Sequence, residues 1–221
     1  MLLERKKIAM LGAEFLGTAV LTAVVLAVSK SNIGIPYFVS LLAGLTVAAG
    51  TLMFGAASGA HFNPIVTIGL WTARQFKTLQ ALLYVVVQLL GATAAYALYT
   101  YLVDNSLPSN TAQYDPRVLV AEVAGAFVFS LGWAAAVYHK LEGGKAAFAV
   151  GASLTIGIIV ASVGSAGILN PAVALGVQSW VWGTYVLGPV LGAIIGFNLY
   201  ALLFAPSNAF KAPALATKKK K

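Results

Sequence analysis

The chain has 221 residues, 60% of them hydrophobic and only 9% charged, with a mean hydropathy of +0.88. A soluble domain of this length carries about 25% charged residues, so most of this surface faces lipid rather than water. The net charge of +8 does not point to nucleic acid: four of the fourteen basic residues are the terminal Lys218 to Lys221, and the rest sit between apolar runs, where basic residues act as topology signals.

Residues 1–7 form a short basic N-terminal segment with Arg5, Lys6 and Lys7. The first apolar run, 8–29, is too long for a signal peptide and has no small-residue cleavage site ahead of a polar domain. It reads as an anchor that stays in the membrane. A second apolar run spans 36–57, and a third spans 79–103. Between them lies a shorter stretch, 63–71, opening on Asn63-Pro64-Ile65. Residues 8–103 make a first repeat. The 104–117 connection carries Asp104, Asn105, Asn110, Asp115 and two prolines, as a solvated loop does. A second repeat, 118–205, holds long runs at 118–138, 146–169 and 181–205 and a short one at 170–179 opening on Asn170-Pro171-Ala172. A basic tail follows at 206–221. Each long run is near the roughly twenty residues that a spanning helix needs, and the two short ones cannot cross a bilayer. Proline suits the first turn of a helix, where its missing N–H would be unpaired anyway. The expected fold is an all-α membrane protein with six transmembrane helices and two re-entrant half-helices.

Basic residues set the orientation. With the N-terminus inside, the inner segments hold Arg5, Lys6, Lys7, Arg74, Lys77, Lys140, Lys145, Lys211 and the four terminal lysines, and the outer loops hold only Lys30 and Arg117. Both termini are therefore expected on the cytoplasmic side of a cell membrane.

The halves match each other. Ala13-Glu14-Phe15-Leu16-Gly17 pairs with Ala121-Glu122-Val123-Ala124-Gly125 at an offset of 108, and Asn63-Pro64 with Asn170-Pro171 at 107. Ser58, Val66 and Gly69 match Ser165, Val173 and Gly176 at that same 107. Tyr84, Gln88 and Gly91-Ala92 correspond to Tyr185, Pro189 and Gly192-Ala193. Three spans per copy is an odd number, so the second copy enters the membrane from the other side, as an inverted repeat.

Non-helical backbone is tolerated at membrane depth only inside protein or beside water. The stretches before the two Asn-Pro motifs therefore imply a polar cavity. Inversion brings the two half-helix N-termini together near the midplane, each with about half a positive charge from the helix dipole, which opposes cations. The Asn63 and Asn170 amides can donate to a passing oxygen, or can serve only as caps of their half-helices. Their occurrence as a pair in inverted copies favours the first role. Glu14 and Glu122 are buried carboxylates that need partners. A proton relay is one reading. A structural acceptor for the N–H groups of the re-entrant loops fits better, since no other intramembrane acid or base continues a relay. His61 is expected to pack and hydrogen-bond within its loop rather than sense pH. His139 is expected to be an ordinary boundary residue. Gly17, Gly44, Gly91, Gly125, Gly157 and Gly192 allow close helix contact. Tyr84, Tyr101, Trp180, Trp182 and Tyr185 read as an interfacial belt.

These residues resemble the aquaporin and glycerol-facilitator family. Ser58-Gly59-Ala60-His61-Phe62-Asn63-Pro64-Ile65-Val66-Thr67 looks like the first family signature, with Ile65 where alanine is usual, and Asn170-Pro171-Ala172 looks like the second. Glu14, Glu122, Gln88 and Gly188-Pro189 match as well, and the likeness runs from about 8 to 205. The resemblance implies an hourglass fold, a pore in each protomer and a homotetramer. One departure stands out. The family usually has arginine directly after its second motif, and here that position is Val173, with no lysine or arginine over 160–185. The other constriction positions fall at Ala43, Ile158 (or Gly157) and Gly167, which implies a wide, apolar outer filter. The acid that often follows the arginine in glycerol facilitators is replaced by Ala174.

The expected function is a passive channel for water and small uncharged solutes in the lipid bilayer. A secondary transporter also uses inverted repeats and broken helices, but the sequence offers no coupling-ion site beyond Glu14 and Glu122. A structural membrane protein is disfavoured by the short loops and the lack of an adhesive outer domain. An enzyme lacks parts: there is no clustered His/Asp/Glu set. The absence of cysteine excludes disulfides, thiolate metal sites and thiol catalysis. No cofactor, metal or nucleic acid is expected.

Overall fold

The computed structural model describes residues 2–30, 36–107 and 114–206. The terminal lysines, Lys211 and Asn110 lie outside the described residues.

Eight α-helices are described: α1 (Leu2–Lys30), α2 (Pro36–Ser58), α3 (Pro64–Thr72), α4 (Thr78–Val103), α5 (Pro116–Tyr138), α6 (Gly143–Ala161), α7 (Pro171–Gly176) and α8 (Leu187–Leu203). Among the described residues six helical segments are long and apolar enough to cross a membrane. The helix α1 starts ahead of the apolar run, because Glu4, Arg5, Lys6 and Lys7 are good helix formers despite their charge. At α5 the Asp115 carboxylate accepts the Arg117 N–H at 2.8 Å and Pro116 takes the first helical position, a strong start signal.

Two boundaries differ from the sequence expectation. The fifth span was expected over 146–169, but α6 ends at Ala161. The residues beyond it are apolar enough to pass as a span, yet they form the loop that leads to Asn170. The second short helix was expected to reach 179, and α7 ends at Gly176. The sixth span opens with a π-helical turn, Trp182–Val186, before α8 begins. Pro189 explains it: the proline has no N–H for the carbonyl of Tyr185, and a wider turn relieves the clash with that carbonyl.

The helix α1 packs on α2 and α4, α5 packs on α6 and α8, and α2 on α6 joins the halves. Each short helix packs on the last span of the opposite half, α3 on α8 and α7 on α4. The matched glycines sit at these crossings. A Cβ at Gly69 would lie 2.1 Å from the Phe197 ring, and one at Gly176 would lie 3.0 Å from the Ala92 carbonyl. The spanning helices also meet backbone to backbone. A Cβ at Gly125 would lie 2.5 Å from the Gly157 carbonyl, and one at Gly151 would lie 2.6 Å from that of Gly44. Without a hydrophobic force between helices in lipid, such backbone contact supplies the association. Large apolar side chains such as Leu52, Leu79, Leu102, Phe148 and Leu202 point outward, as a lipid-facing surface requires.

Gly125→Val places a methyl-bearing carbon against backbone that cannot yield. We expect it to cost about 1–3 kcal/mol, read as a lower thermal midpoint in detergent. An unchanged midpoint would contradict the close crossing of α5 and α6.

Candidate functional site

The site starts from two stretches of non-helical backbone. Residues 59–63 join α2 to α3, and residues 162–170 join α6 to α7. Next to last in each stands a non-glycine residue in the left-handed region, Phe62 at φ 50° and Leu169 at φ 49°. Such conformations cost about 1–3 kcal/mol each and need support from their surroundings.

Two carboxylates supply that support. Glu14 on α1 is fully buried and accepts four hydrogen bonds. Its Oε1 takes the Ser58 hydroxyl at 2.7 Å and the His61 N–H at 2.9 Å. Its Oε2 takes the Phe62 N–H and the Gln88 amide, both at 2.8 Å. Glu122 on α5 repeats the pattern. Its Oε1 takes the Ser165 hydroxyl and the Ile168 N–H, and its Oε2 takes the Leu169 N–H at 2.8 Å. Ser58 and Ser165 in turn accept the N–H of Ala60 and Gly167. All the backbone donors named here are loop N–H groups that no helix can satisfy.

The two left-handed residues turn their carbonyls toward the opposite half. Asn63 Nδ2 donates to the Leu169 carbonyl at 2.9 Å, and Asn170 Nδ2 donates to the Phe62 carbonyl at 3.0 Å. The amide oxygens cap the short helices: Asn63 Oδ1 accepts the Ile65 N–H, and Asn170 Oδ1 accepts the N–H groups of Ala172 and Val173. Pro64 and Pro171 hold the first helical positions. The unusual Ile65 leaves this cap intact, because the cap uses its backbone and its side chain is buried in the core. Each amide carries two N–H groups, so the cross-bond leaves one further donor on each Asn.

The structure brings most of the sequence-derived filter residues together. Ala43, Ile158, Gly167, Val173 and Asn170 line one cavity of about 50 Å³. Gly167 has φ +64°, and a Cβ there would lie 2.9 Å from the Ile158 carbonyl, so glycine is required. The cavity is apolar. Its volume suits only a few waters, at about 10–15 Å³ for the first. Leu21, Val25, Val39, Leu154 and Ile168 line the same space.

His61 is elsewhere. It lines a vestibule of about 710 Å³ with Ser58, Gln75, Phe76, Trp133, Lys140 and Glu142. Its Nδ1 lies 3.0 Å from Thr67 Oγ1, and Gln88 donates to the same hydroxyl at 3.2 Å. Asn63 lines neither cavity. Along α2 the small cavity touches Ala43 and the vestibule touches Thr51, and along α6 they touch Leu154 and Val150. The two spaces thus lie toward opposite ends of the same helices, about two turns apart along α2 and about one turn apart along α6. Trp133 was not singled out in the sequence, because a tryptophan in mid-span reads as packing until His61 is seen beside it. His139 ties to Tyr200 at 2.9 Å, at the end of the fold where α5 stops.

Two cross-bonded helix starts inside six spanning helices, with a cavity toward either end, make this an integral membrane protein of the channel class. Known proteins agree. The sequence profile described as major intrinsic protein matches residues 3–200, and the chain belongs to that family. Aquaporin Z of Photorhabdus laumondii is 30% identical over 225 residues, covering 88% of this chain and 97% of its own. Aquaporin AqpM of Methanothermobacter marburgensis is 29% identical over 238 residues, covering 86% and 95%. Aquaporin-1 of Mus musculus is 30% identical over 188 residues, covering 77% and 69%. The solved structure of the aquaglyceroporin from Plasmodium falciparum matches with a TM-score of 0.74 at 22% identity, covering 90% of this chain and 97% of that one. At that identity the likeness is one of fold.

The carboxylate account makes a graded prediction. Glu14→Leu leaves two loop N–H groups, a hydroxyl and an amide unpaired, at about 1–3 kcal/mol each. Glu14→Gln keeps one acceptor oxygen. Thermal midpoints in detergent are expected to fall in the order wild type, Glu14→Gln, Glu14→Leu, with the last yielding little monodisperse protein. Equal midpoints would remove the carboxylate from its supporting role.

Proposed function

We propose that the chain is a passive channel for water and small uncharged solutes, with Asn63 and Asn170 at its centre and Ala43, Ile158, Gly167 and Val173 as an apolar constriction at one mouth. The observation that carries this reading is the small cavity that ends on Asn170, with the vestibule approaching from the other end of α2 and α6. The printed names of the relatives, aquaporins and an aquaglyceroporin, support the same substrate class. The excess of basic residues on the inner segments supports a cytoplasmic side for both termini, and for the vestibule, which Lys140 lines. By resemblance the channel assembles as a homotetramer with a pore in each protomer, which the mass of the detergent-extracted particle would test.

Glu14 and Glu122 have their oxygens committed to donors in and beside the re-entrant loops, with Gln88 of α4 added at Glu14. That fits an anchor and leaves little for a coupling ion, so flux is expected to follow the solute gradient. In an apolar constriction the barrier is the loss of water contacts, and such a site can gate by dewetting. Selection there is by size and by ease of desolvation rather than by hydrogen bonding.

Stopped-flow light scattering on proteoliposomes tests the reading. Water permeability above that of empty liposomes is expected, with ammonia and then glycerol passing less readily. Permeability equal to empty liposomes for all three would falsify it. Val173→Arg adds donors beside Asn170. It is expected to lower the glycerol-to-water ratio by roughly 3- to 10-fold, the worth of one hydrogen bond of about 1 kcal/mol. An unchanged ratio would move the constriction away from Val173.

A further inference from the structure

The smaller cavity offers a permeant almost no side-chain donor. Its wall is aliphatic apart from Asn170, one of whose N–H groups already bonds Phe62. The opposite side of the path is different. Three rings, His61, Phe76 and Trp133, line the vestibule. The His61 and Phe76 centroids are 4.9 Å apart, and those of His61 and Trp133 are 5.5 Å apart at 84°, edge to face. Tyr84 backs them, 5.2 Å from His61, with its hydroxyl donating to the Ser58 carbonyl at 2.8 Å. The collar is thus clamped to the same loop that Glu14 holds.

Trp133 is 5% exposed, and its indole Nε1 has no hydrogen-bond partner among the described residues. A buried indole N–H normally finds a partner, and an unpaired buried donor is unfavourable. His61, at 4% exposure, has Nδ1 turned to Thr67, which leaves Nε2 as its second polar atom. Trp133 and His61 thus place two ring nitrogens in the vestibule wall beside the loop that leads to Asn63.

We propose that Trp133 and His61 form a second constriction on the vestibule side, and that this collar sets the solute selectivity which the arginine-free mouth cannot. The bulk of the indole limits the cross-section. Its N–H donates to the acceptor oxygen of a small neutral permeant, water or an alcohol, during passage. The proposal rests on the channel reading above.

Two substitutions separate bulk from donor. Trp133→Ala opens the collar, and Trp133→Phe keeps a ring but removes the N–H. Both are compared with wild type in proteoliposomes at equal protein content, measuring water and glycerol permeability by stopped-flow light scattering. Trp133→Ala is expected to raise the glycerol-to-water ratio by roughly 3- to 10-fold, and Trp133→Phe to lower water permeability by roughly 2- to 5-fold with the ratio little changed. Trp133→Phe also keeps the proposal testable if the alanine variant does not fold. A conducting wild type with both variants unchanged overturns the collar and leaves the channel reading standing. A ratio change in Trp133→Ala with Trp133→Phe equal to wild type retains the steric constriction and overturns the donor. Wild-type flux at the level of empty liposomes overturns both readings.

Discussion

Everything in this fold depends on keeping two pieces of irregular backbone at membrane depth. Lipid offers no hydrogen bonds, so each loop N–H must find a protein acceptor. Glu14 and Glu122 are those acceptors. By fixing the two residues before each Asn, they fix the left-handed turns at Phe62 and Leu169. The turns present carbonyls to the opposite half, and those carbonyls orient the Asn63 and Asn170 amides. The caps, and with them the short helices, follow. A carboxylate on a spanning helix thus decides where an amide more than a hundred positions away in sequence points.

The two anchors are alike but not equal. Gln88 adds a fourth donor to Glu14, and the position matched to it in the second half is Pro189. That proline brings the π-helical turn at Trp182–Val186 instead of a hydrogen bond. Gln88 also reaches Thr67, which holds His61, whereas the residue matched to Thr67 is Ala174. The polar network therefore extends toward the vestibule in the first half and stops at the loop in the second. The vestibule, with His61, Lys140 and Glu142 in its wall, and the aliphatic small cavity lie on the sides this difference implies.

Much of this was legible in the sequence. Long apolar runs located the spans, and the near-constant offset between the halves singled out Glu14 with Glu122 and Asn63 with Asn170. Hydropathy misplaced the end of α6, because Ile168 and Leu169 are as apolar as a helix interior while their backbone is a loop. The glycines and serines at 162–167 were the signal that should have stopped it. The size of the small cavity was not legible either. It depends on Leu21 and Leu154 leaning into the same space, and side-chain convergence from separate helices leaves no local pattern. Trp133 escaped for the same reason, since only the fold sets it against His61.

The length of the apolar stretch bears on how the channel can conduct without arginine. An aliphatic wall replaces none of the hydrogen bonds that a water gives up, so the penalty grows with the distance travelled between donors. Val173 lies one helical turn past Asn170, about 4.5 Å along the axis of α7. On the channel reading, a water leaving the Asn170 amide draws level with Val173 after roughly one and a half of its own diameters. A short dry ring of this kind is passable for one small molecule at a time. For a solute with several hydroxyls it is harder, because more of its partners are stripped at once. Losing the arginine therefore need not produce a permissive pore. It replaces recognition by hydrogen bonding with a requirement for small size and few polar groups, and it leaves positive discrimination among polar permeants to donors outside that ring.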